Sequence, residues 1–332
     1  MKDARVLVTG GAGYIGSEVA RALCDAGASV TILDNLSTGS RLALPGSARL
    51  VEGDLGDDDI LAGLFAAAPF DAVMHFAAST VAPDSVADPF SFYRNNTVNT
   101  VRLGTAAARA GVRAFVFSST AAVYRSSGMA PVEESAPKEP QSPYGWSKLM
   151  SEQILRDMAA SPAFRLGILR YFNVAGAHPL GRGGPRTRNA THLVKVACEY
   201  AVGRREAITV YGSDYATPDG TGVRDYIHVN DLADAHVAGL RHLLAGNAGF
   251  VLNCGYGRGH SVLDVIRALE RVTGRPADLR FGPRRPGDPA VVVANADALR
   301  RLLGWQPRYD SIDEIVATGL AWEEKLRAEA GG

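Results

Sequence analysis

Eight residues near the amino end constrain the fold more than any others. Val6-Leu7-Val8 reads as a buried strand and runs into Thr9-Gly10-Gly11-Ala12-Gly13-Tyr14-Ile15-Gly16, then into an amphipathic stretch over residues 17–26. A glycine-rich turn between strand and helix lets the backbone bend tightly and approach a pyrophosphate, which the partly positive helix N-terminus attracts. Asp34 lies eighteen residues beyond Gly16 at the end of the next apolar run, within the spacing of a carboxylate that takes ribose hydroxyls. Its charge repels a 2′-phosphate, and Asn35-Leu36-Ser37 brings no arginine. NAD is therefore expected rather than NADP.

The first half keeps that rhythm. Apolar runs at residues 30–33, 50–51, 72–75, 115–117 and 166–169 read as strands, with helical patterns at 60–67 and 98–110. Parallel neighbours need long crossovers, so this alternation predicts an α/β fold: a Rossmann-type doubly wound parallel sheet with helices on both faces. Near-continuous apolar runs suit strands buried on both sides. After about residue 173 the pattern loosens. Residues 175–189 are rich in Gly, Pro and Arg and read as a loop, and helical patterns return at 229–244, 261–273, 296–303 and 312–328. The expected division is an NAD-binding domain over 1–173 and a smaller C-terminal α/β substrate lobe over 174–332, with some segments returning to the core.

Composition excludes other classes. The 35 basic and 35 acidic side chains cancel, whereas a nucleic-acid or membrane-surface protein needs a basic excess. Cys24, Cys198 and Cys254 form no CxxC pair, so neither a disulfide framework nor a metal site is expected. No stretch approaches about 18 uninterrupted apolar residues, and no signal-like region opens the chain. A cytoplasmic protein is expected.

Further along, Asp54 in Glu52-Gly53-Asp54-Leu55 reads either as an adenine contact or as a cap on the helix start at 57–59. His75-Phe76-Ala77-Ala78 closes the fourth strand with small residues that pass beneath a cofactor, and His75 itself reads as a packed histidine. The fifth strand ends in Phe117-Ser118-Ser119-Thr120-Ala121-Ala122-Val123-Tyr124, and Tyr144-Gly145-Trp146-Ser147-Lys148 follows on a helix. Tyr144 and Lys148, four apart, share a helical face. An ammonium beside a phenol lowers its pKa from about 10 towards neutrality. The product is a general base that takes a proton from an alcohol as hydride leaves its carbon. Thr120 supplies a hydroxyl to hold the same oxygen.

With these residues in view, the chain resembles the extended short-chain dehydrogenase/reductases, and most closely the UDP-glucose 4-epimerase family. The likeness rests on Thr9–Gly16, on Asp34-Asn35-Leu36, on Ser142-Pro-Tyr-Gly-x-Ser-Lys148 and on Arg170-Tyr171-Phe172-Asn173. It extends to Asp219-Gly-Thr-Gly-x-Arg224-Asp-Tyr-Ile-His-Val229 and Arg284-Arg285-x-Gly-Asp288. The last two motifs are the most specific. The resemblance implies catalysis by Tyr144, Lys148 and Thr120. It implies cofactor contacts from Gly10, Gly13, Tyr14, Ile15, Gly16, Asp34, Asn35, Asp54, Leu55, Phe76, Ala77 and Ala78, joined by Asn96, Ser118 and Tyr171. The UDP-sugar substrate falls to Asn173, Leu193, Tyr211, Arg224, Arg285 and Asp288. Two arginines from separate loops can clamp a diphosphate, and Tyr211 can cover uracil.

The implied reaction uses tightly bound NAD twice. Tyr144 takes the 4-hydroxyl proton as C4 gives up hydride, the 4-keto sugar turns about its diphosphate link, and hydride returns to the other face. Sugar dehydratases of similar fold carry Asp-Glu after the catalytic Thr; here Ala121-Ala122 stand there, so dehydration is not expected. A homodimer through the helices at 98–110 and 147–159 is implied as well.

Three departures bear on substrate. Thr80 replaces the lysine usual near the cofactor, and Val292 stands where some relatives narrow the sugar pocket with a tyrosine. The loop after residue 176 carries Arg182, Arg186 and Arg188 in place of a Gly-Glu pair. UDP-glucuronate 4-epimerases also place an arginine there, so Arg182 is expected to bind a C6 carboxylate, with UDP-glucuronate and UDP-galacturonate as the substrate pair. UDP-glucose/UDP-galactose, with N-acetylhexosamines, is the alternative, and a non-catalytic NAD-sensing regulator a distant one.

Overall fold

The strand-like runs of the first half become parallel strands of one sheet. In the computed structural model, which describes residues 1–125, 128, 130–161, 164–187, 190–285 and 287–331, these are β1 (Arg5–Thr9), β2 (Ser29–Asp34), β3 (Arg49–Glu52), β4 (Ala72–His75), β5 (Ala114–Thr120) and β6 (Arg165–Tyr171). A seventh strand that the sequence reading did not anticipate, β11 (Phe250–Cys254), pairs in parallel with β6. The order is β11-β6-β5-β4-β1-β2-β3.

Alternate residues enter two cores, as the pleat requires. Val6, Val8, Ile32, Met74 and Val116 face α1 (Tyr14–Asp25) and α8 (Val229–Leu244), meeting Val19, Leu23, Leu232 and Leu240. Leu7, Leu33, Val73, Phe115 and Phe117 face the other way, onto Leu61 and Leu64 of α2 (Asp58–Ala67), Leu103 of α5 (Asn99–Arg109) and Leu155 of α6 (Pro143–Met158). The sheet is covered on both faces. The helical pattern expected from 98 begins earlier: α3 (Ala82–Ala87) and α4 (Pro89–Phe92) lead through a π-helical turn, Tyr93–Val98, into α5.

The later chain builds short sheets around the mouth of the central one. β7 (Asn173–Ala175) pairs with β10 (Tyr226–His228), and β8 (Ile208–Tyr211) with β13 (Leu279–Gly282). β9 (Val223–Arg224) lies between β12 (His260–Ser261) and β14 (Val291–Val292). Around them stand α7 (Leu193–Ala201), α9 (Val262–Thr273), α10 (Asp297–Leu303) and α11 (Ile312–Gly331). Residues 229–254 return to the first half, α8 packing on α1 and β11 extending the sheet. No helix among the described residues is long and apolar enough to cross a membrane.

The motif at 219–229 organises this second layer. Asp219 accepts from Thr221 N, Thr221 Oγ1 and Ser261 Oγ, so it joins the turn to the cap of α9. Asp225 is fully buried and accepts three backbone N–H groups, from Tyr256 and Gly257 at 2.9 Å and from Ala294 at 3.2 Å. One carboxylate thus ties β9, β14 and the turn after β11 together. Asp225→Ala leaves buried donors without partners and is expected to cost about 3 kcal/mol, to be measured by denaturant unfolding.

Candidate active site

All seven strands run the same way, so their carboxyl ends share one rim. A cleft of about 1470 Å³ follows that rim and continues between it and the later elements. A pocket for one drug-sized ligand measures roughly 300–1,000 Å³; this cleft is larger and has room for more than one.

At one end lies the glycine turn. Gly10 has φ +69°, and a Cβ there would sit 2.5 Å from the Ala77 backbone nitrogen. A Cβ on Gly16 would lie 2.2 Å from Gly10 O. Both glycines are required by backbone approach, one between β1 and the end of β4, the other between the turn and α1. Gly13 begins α1 with no side-chain cap, and Tyr14, Ile15 and Gly16 line the cleft beside its first-turn N–H groups. Tyr14 also donates to Gly176 O at 2.6 Å, joining α1 to the segment after β7.

Asp34 accepts from Ala12 N at 2.9 Å and Leu36 N at 2.8 Å, so its carboxylate is fixed at the rim. Asn35 donates to Asp54 at 2.6 Å, and Gly56 N to the same carboxylate at 2.7 Å. The cap on α2 is Asp57, not Asp54. That leaves Asp54 in the cleft wall with Leu55, Phe76, Ala77 and Ala78. These residues, with the glycine turn, form a cradle that fits a dinucleotide. His75 is buried between Thr9 Oγ1 and Thr100 Oγ1, and burial above all lowers its pKa to about 3. It is a packed neutral histidine.

The middle of the cleft belongs to β5 and α6. Ser142 caps α6, accepting from Gly145 N, and Pro143 occupies its first turn. Ser85 of α3 accepts from Tyr144 N at 3.1 Å. A Cβ on Gly145 would lie 2.4 Å from Ala122 O, so the helix start presses against the turn after β5. This brings Tyr144 beside Thr120, both in the cleft wall with Tyr171. Lys148, Ser118 and Asn96 stand one layer behind. Lys148 Nζ donates to Ser118 O at 2.9 Å, and the Ser118 hydroxyl bonds that of Tyr171. Asn96, in the π-helical turn, braces Ser79 against Ser147, while its neighbour Asn95 reaches the cleft.

The far end gathers Asn173, Leu193, Tyr211, Arg224, Arg285 and Asp288. Arg224 pairs with Asp288, and the Arg285 guanidinium lies 4.2 Å over the Tyr211 ring. Both cations are thereby held in place around an open space. Thr80 and Val292 also line the cleft. Tyr124, His192 and Tyr226 line it too and were not singled out from the sequence. Tyr124 closes the quoted Ser-Ser-Thr run, so that signal was available. His192 precedes α7, whose apolar sequence carries no helix-start residue.

Residues 6–255 match the pattern of the NAD dependent epimerase/dehydratase family. The chain belongs to that family. It is 54% identical over 327 residues to an Azospirillum brasilense UDP-glucose 4-epimerase, covering 98% of this chain and 94% of that one. The crystal structure of Bifidobacterium longum UDP-glucose 4-epimerase in complex with NAD+ and UDP superposes with a TM-score of 0.91 at 39% identity, over 97% and 98% of the two chains. The Campylobacter jejuni UDP-Glc/GlcNAc 4-epimerase structure gives 0.85 at 44% identity, over 97% and 99%.

Two expectations for this epimerase-family chain need correction. The phenol is not lowered by its lysine in the protein alone: burial raises Tyr144 above its usual value, against the Thr120 hydroxyl. The same burial brings Lys148 down to about 7, opposed by Glu152. The second correction concerns Arg182, which is not in the cleft. It donates to Asp25 at the end of α1 at 2.8 Å. The loop docks there because Gly183 packs on α1 so closely that a Cβ would lie 1.8 Å from Glu18 Oε1. Arg186 pairs with Glu329 and stacks over Trp322; Arg188 lies outside the described residues.

Docking of that loop buries Glu18 with both carboxylate oxygens lacking hydrogen-bond partners. Burial raises its pKa from 4.5 to about 7, against the nearby charges of Arg21 and Arg182. Folding therefore favours the protonated form. The penalty is absent below the unfolded value, grows as pH rises through 4.5 to about 7, and is constant above. Glu18→Gln is expected to stabilise the fold at pH 8 by up to about 3 kcal/mol and to have no effect at pH 4, as read from melting curves at the two pH values.

Proposed function

We propose that this chain is a UDP-glucose 4-epimerase that interconverts UDP-glucose and UDP-galactose. One observation carries the reading: a single cleft has the dinucleotide cradle at one end, the Arg224–Asp288 and Arg285–Tyr211 pairs at the other, and Tyr144 with Thr120 between them. The names of its relatives support the same substrate. The uronate pair loses its support, because Arg182 is engaged with Asp25 away from the cleft.

The residues divide the work. Arg224 and Arg285 hold the diphosphate, Tyr211 covers the base, and the uncapped start of α7 adds N–H groups near Leu193. These contacts fall on the nucleotide, so the hexose can turn while the nucleotide stays fixed. Bound NAD supplies the hydride acceptor and donor at C4, and its cationic nicotinamide adds the positive charge that favours a phenolate. Tyr144 takes the 4-hydroxyl proton and returns it to the inverted alcohol. Thr120 holds the same oxygen, and Lys148, anchored on Ser118 O, supports the phenolate from behind.

A second reading extends the substrates to N-acetylhexosamines. Val292 presents a small side chain to the cleft, and the Campylobacter jejuni structure is of a UDP-Glc/GlcNAc 4-epimerase. We also assign a homodimer to the α3–α6 side. Phe90 is 82% exposed there, with Val86, Val98, Trp146 and Met150 on the same group of packed helices. Burying apolar area of this kind is what a second copy offers.

The purified protein is expected to invert UDP-glucose and UDP-galactose, and UDP-N-acetylglucosamine more slowly. Tyr144→Phe is expected to lower kcat about 10²–10⁴-fold, whereas Arg182→Ala leaves turnover unchanged. Faster turnover of UDP-glucuronate than of UDP-glucose, lost in Arg182→Ala, would reverse the substrate assignment. Light scattering on a Trp146→Glu, Met150→Glu variant is expected to give a monomer where the wild type gives a dimer; a dimeric variant excludes this face.

A further inference from the structure

Behind the cleft wall, a buried carboxylate on the Tyr144–Lys148 helix is left without a role in the chemistry described so far. Glu152 follows Lys148 by four residues and Tyr144 by eight, so the three share one face of α6. Its side chain is 1% exposed. Oε1 accepts from Ser119 Oγ at 2.5 Å and from Arg170 Nε at 2.8 Å, and Oε2 accepts from Arg170 Nη2 at 2.5 Å. Arg170 is fully buried; its Nη1 donates to the Tyr124 hydroxyl at 2.8 Å, which donates onward to Asn253 Oδ1 at 2.7 Å.

We propose that Glu152 is a positioning residue for the epimerase chemistry: through Ser119 it clamps the end of β5 to the Tyr144–Lys148 turns of α6, and through Arg170 it ties that clamp to Tyr124 in the cleft wall. This rests on the reading of the chain as a UDP-sugar epimerase.

Ser119 sits between the two residues that the chemistry needs on β5. Ser118 offers the carbonyl that receives Lys148 Nζ, and Thr120 offers its hydroxyl beside Tyr144. Holding Ser119 therefore fixes the distance between strand end and helix. Stability alone does not account for the pair, since buried ion pairs are often replaced by apolar residues at no loss.

The clamp also sets charge. Lys148 is faced by Glu152 from its own helix and by neutral His75 from β4, while Tyr171 stands near Tyr144 and bonds the Ser118 hydroxyl. Beyond Glu152 stand Arg170, Arg156, Lys138 and Glu134. The carboxylate is the anion that opposes burial at Lys148. Neutralising it makes the ammonium lose its proton at lower pH.

The test uses the NAD-loaded enzyme with UDP-glucose and UDP-galactose across a pH series, alongside melting and NAD content. Glu152→Gln is expected to lower kcat about 10–100-fold with KM little changed, and to move the alkaline limb of kcat at least about one pH unit towards acid. Ser119→Ala, which cuts only the strand link, is expected to lower kcat without moving the limb. Adding Arg170→Gln to Glu152→Gln removes the surplus charge and is expected to restore melting but not rate. Wild-type kcat and pH profile in Glu152→Gln, or full recovery of rate in the double variant, would overturn the proposal. If Glu152→Gln fails to fold, Ser119→Ala decides, and wild-type kcat there overturns it. A wild type that holds NAD but inverts neither sugar overturns the epimerase reading instead, and the clamp with it.

Discussion

The cradle half of the cleft depends on the common direction of the strands. Because β1 to β6 run parallel, their C-terminal turns open on one rim, and each adds a different group there. The turn after β1 brings glycines, β2 and β3 bring Asp34 and Asp54, β4 brings Phe76 and Ala77, β5 brings Thr120 and β6 is followed by Asn173. An antiparallel sheet would have sent half of them to the opposite edge. Parallel pairing in turn needs the helical crossovers that cover both faces, so the reactive rim and the buried core follow from the same choice of topology.

Within that frame the reacting groups are set by close backbone approach and by burial. Gly145 lets α6 press on Ala122 O, Gly10 lets the first turn touch Ala77, and Ser85 ties Tyr144 N to α3. Burial makes the charged form of Lys148 and the ionised form of Tyr144 both costly in the protein alone. A cation bound next to them would favour the ionised phenol and the neutral amine.

Much of this was legible in the residues. The glycine turn, Asp34 and Tyr144 all reach the cleft, because local geometry dictates where such residues stand. The second half was harder. Leu193-Val-Lys-Val-Ala-Cys-Glu-Tyr-Ala forms α7 although it has no capping residue, so its helical state comes from packing on α9 and α11. Phe250–Cys254 is short and far along the chain, and only its place beside β6 makes it part of the main sheet. Arg182 shows the limit most plainly. Its sequence neighbourhood announces charge, but the direction of the loop is fixed by the fit of Gly183 on α1 and by Trp322 donating to Pro185 O. Likewise the sign of the shift at Tyr144 depends on burial, which no spacing reveals.

The late return of residues 229–254 has a consequence for how the protein is made. When the first 173 residues have left the ribosome, the glycine turn, Tyr144 and Lys148 already exist, yet β6 has an unpaired edge and α1 lacks the cover that α8 gives it beside the sheet. Open edges and bare apolar faces invite association with other chains. Translation must proceed past Leu244 before α8 can meet α1 and past Cys254 before the β6 edge is paired, so nascent chains stalled in that interval expose Tyr144 and Lys148 on an unfinished, adhesive half-sheet.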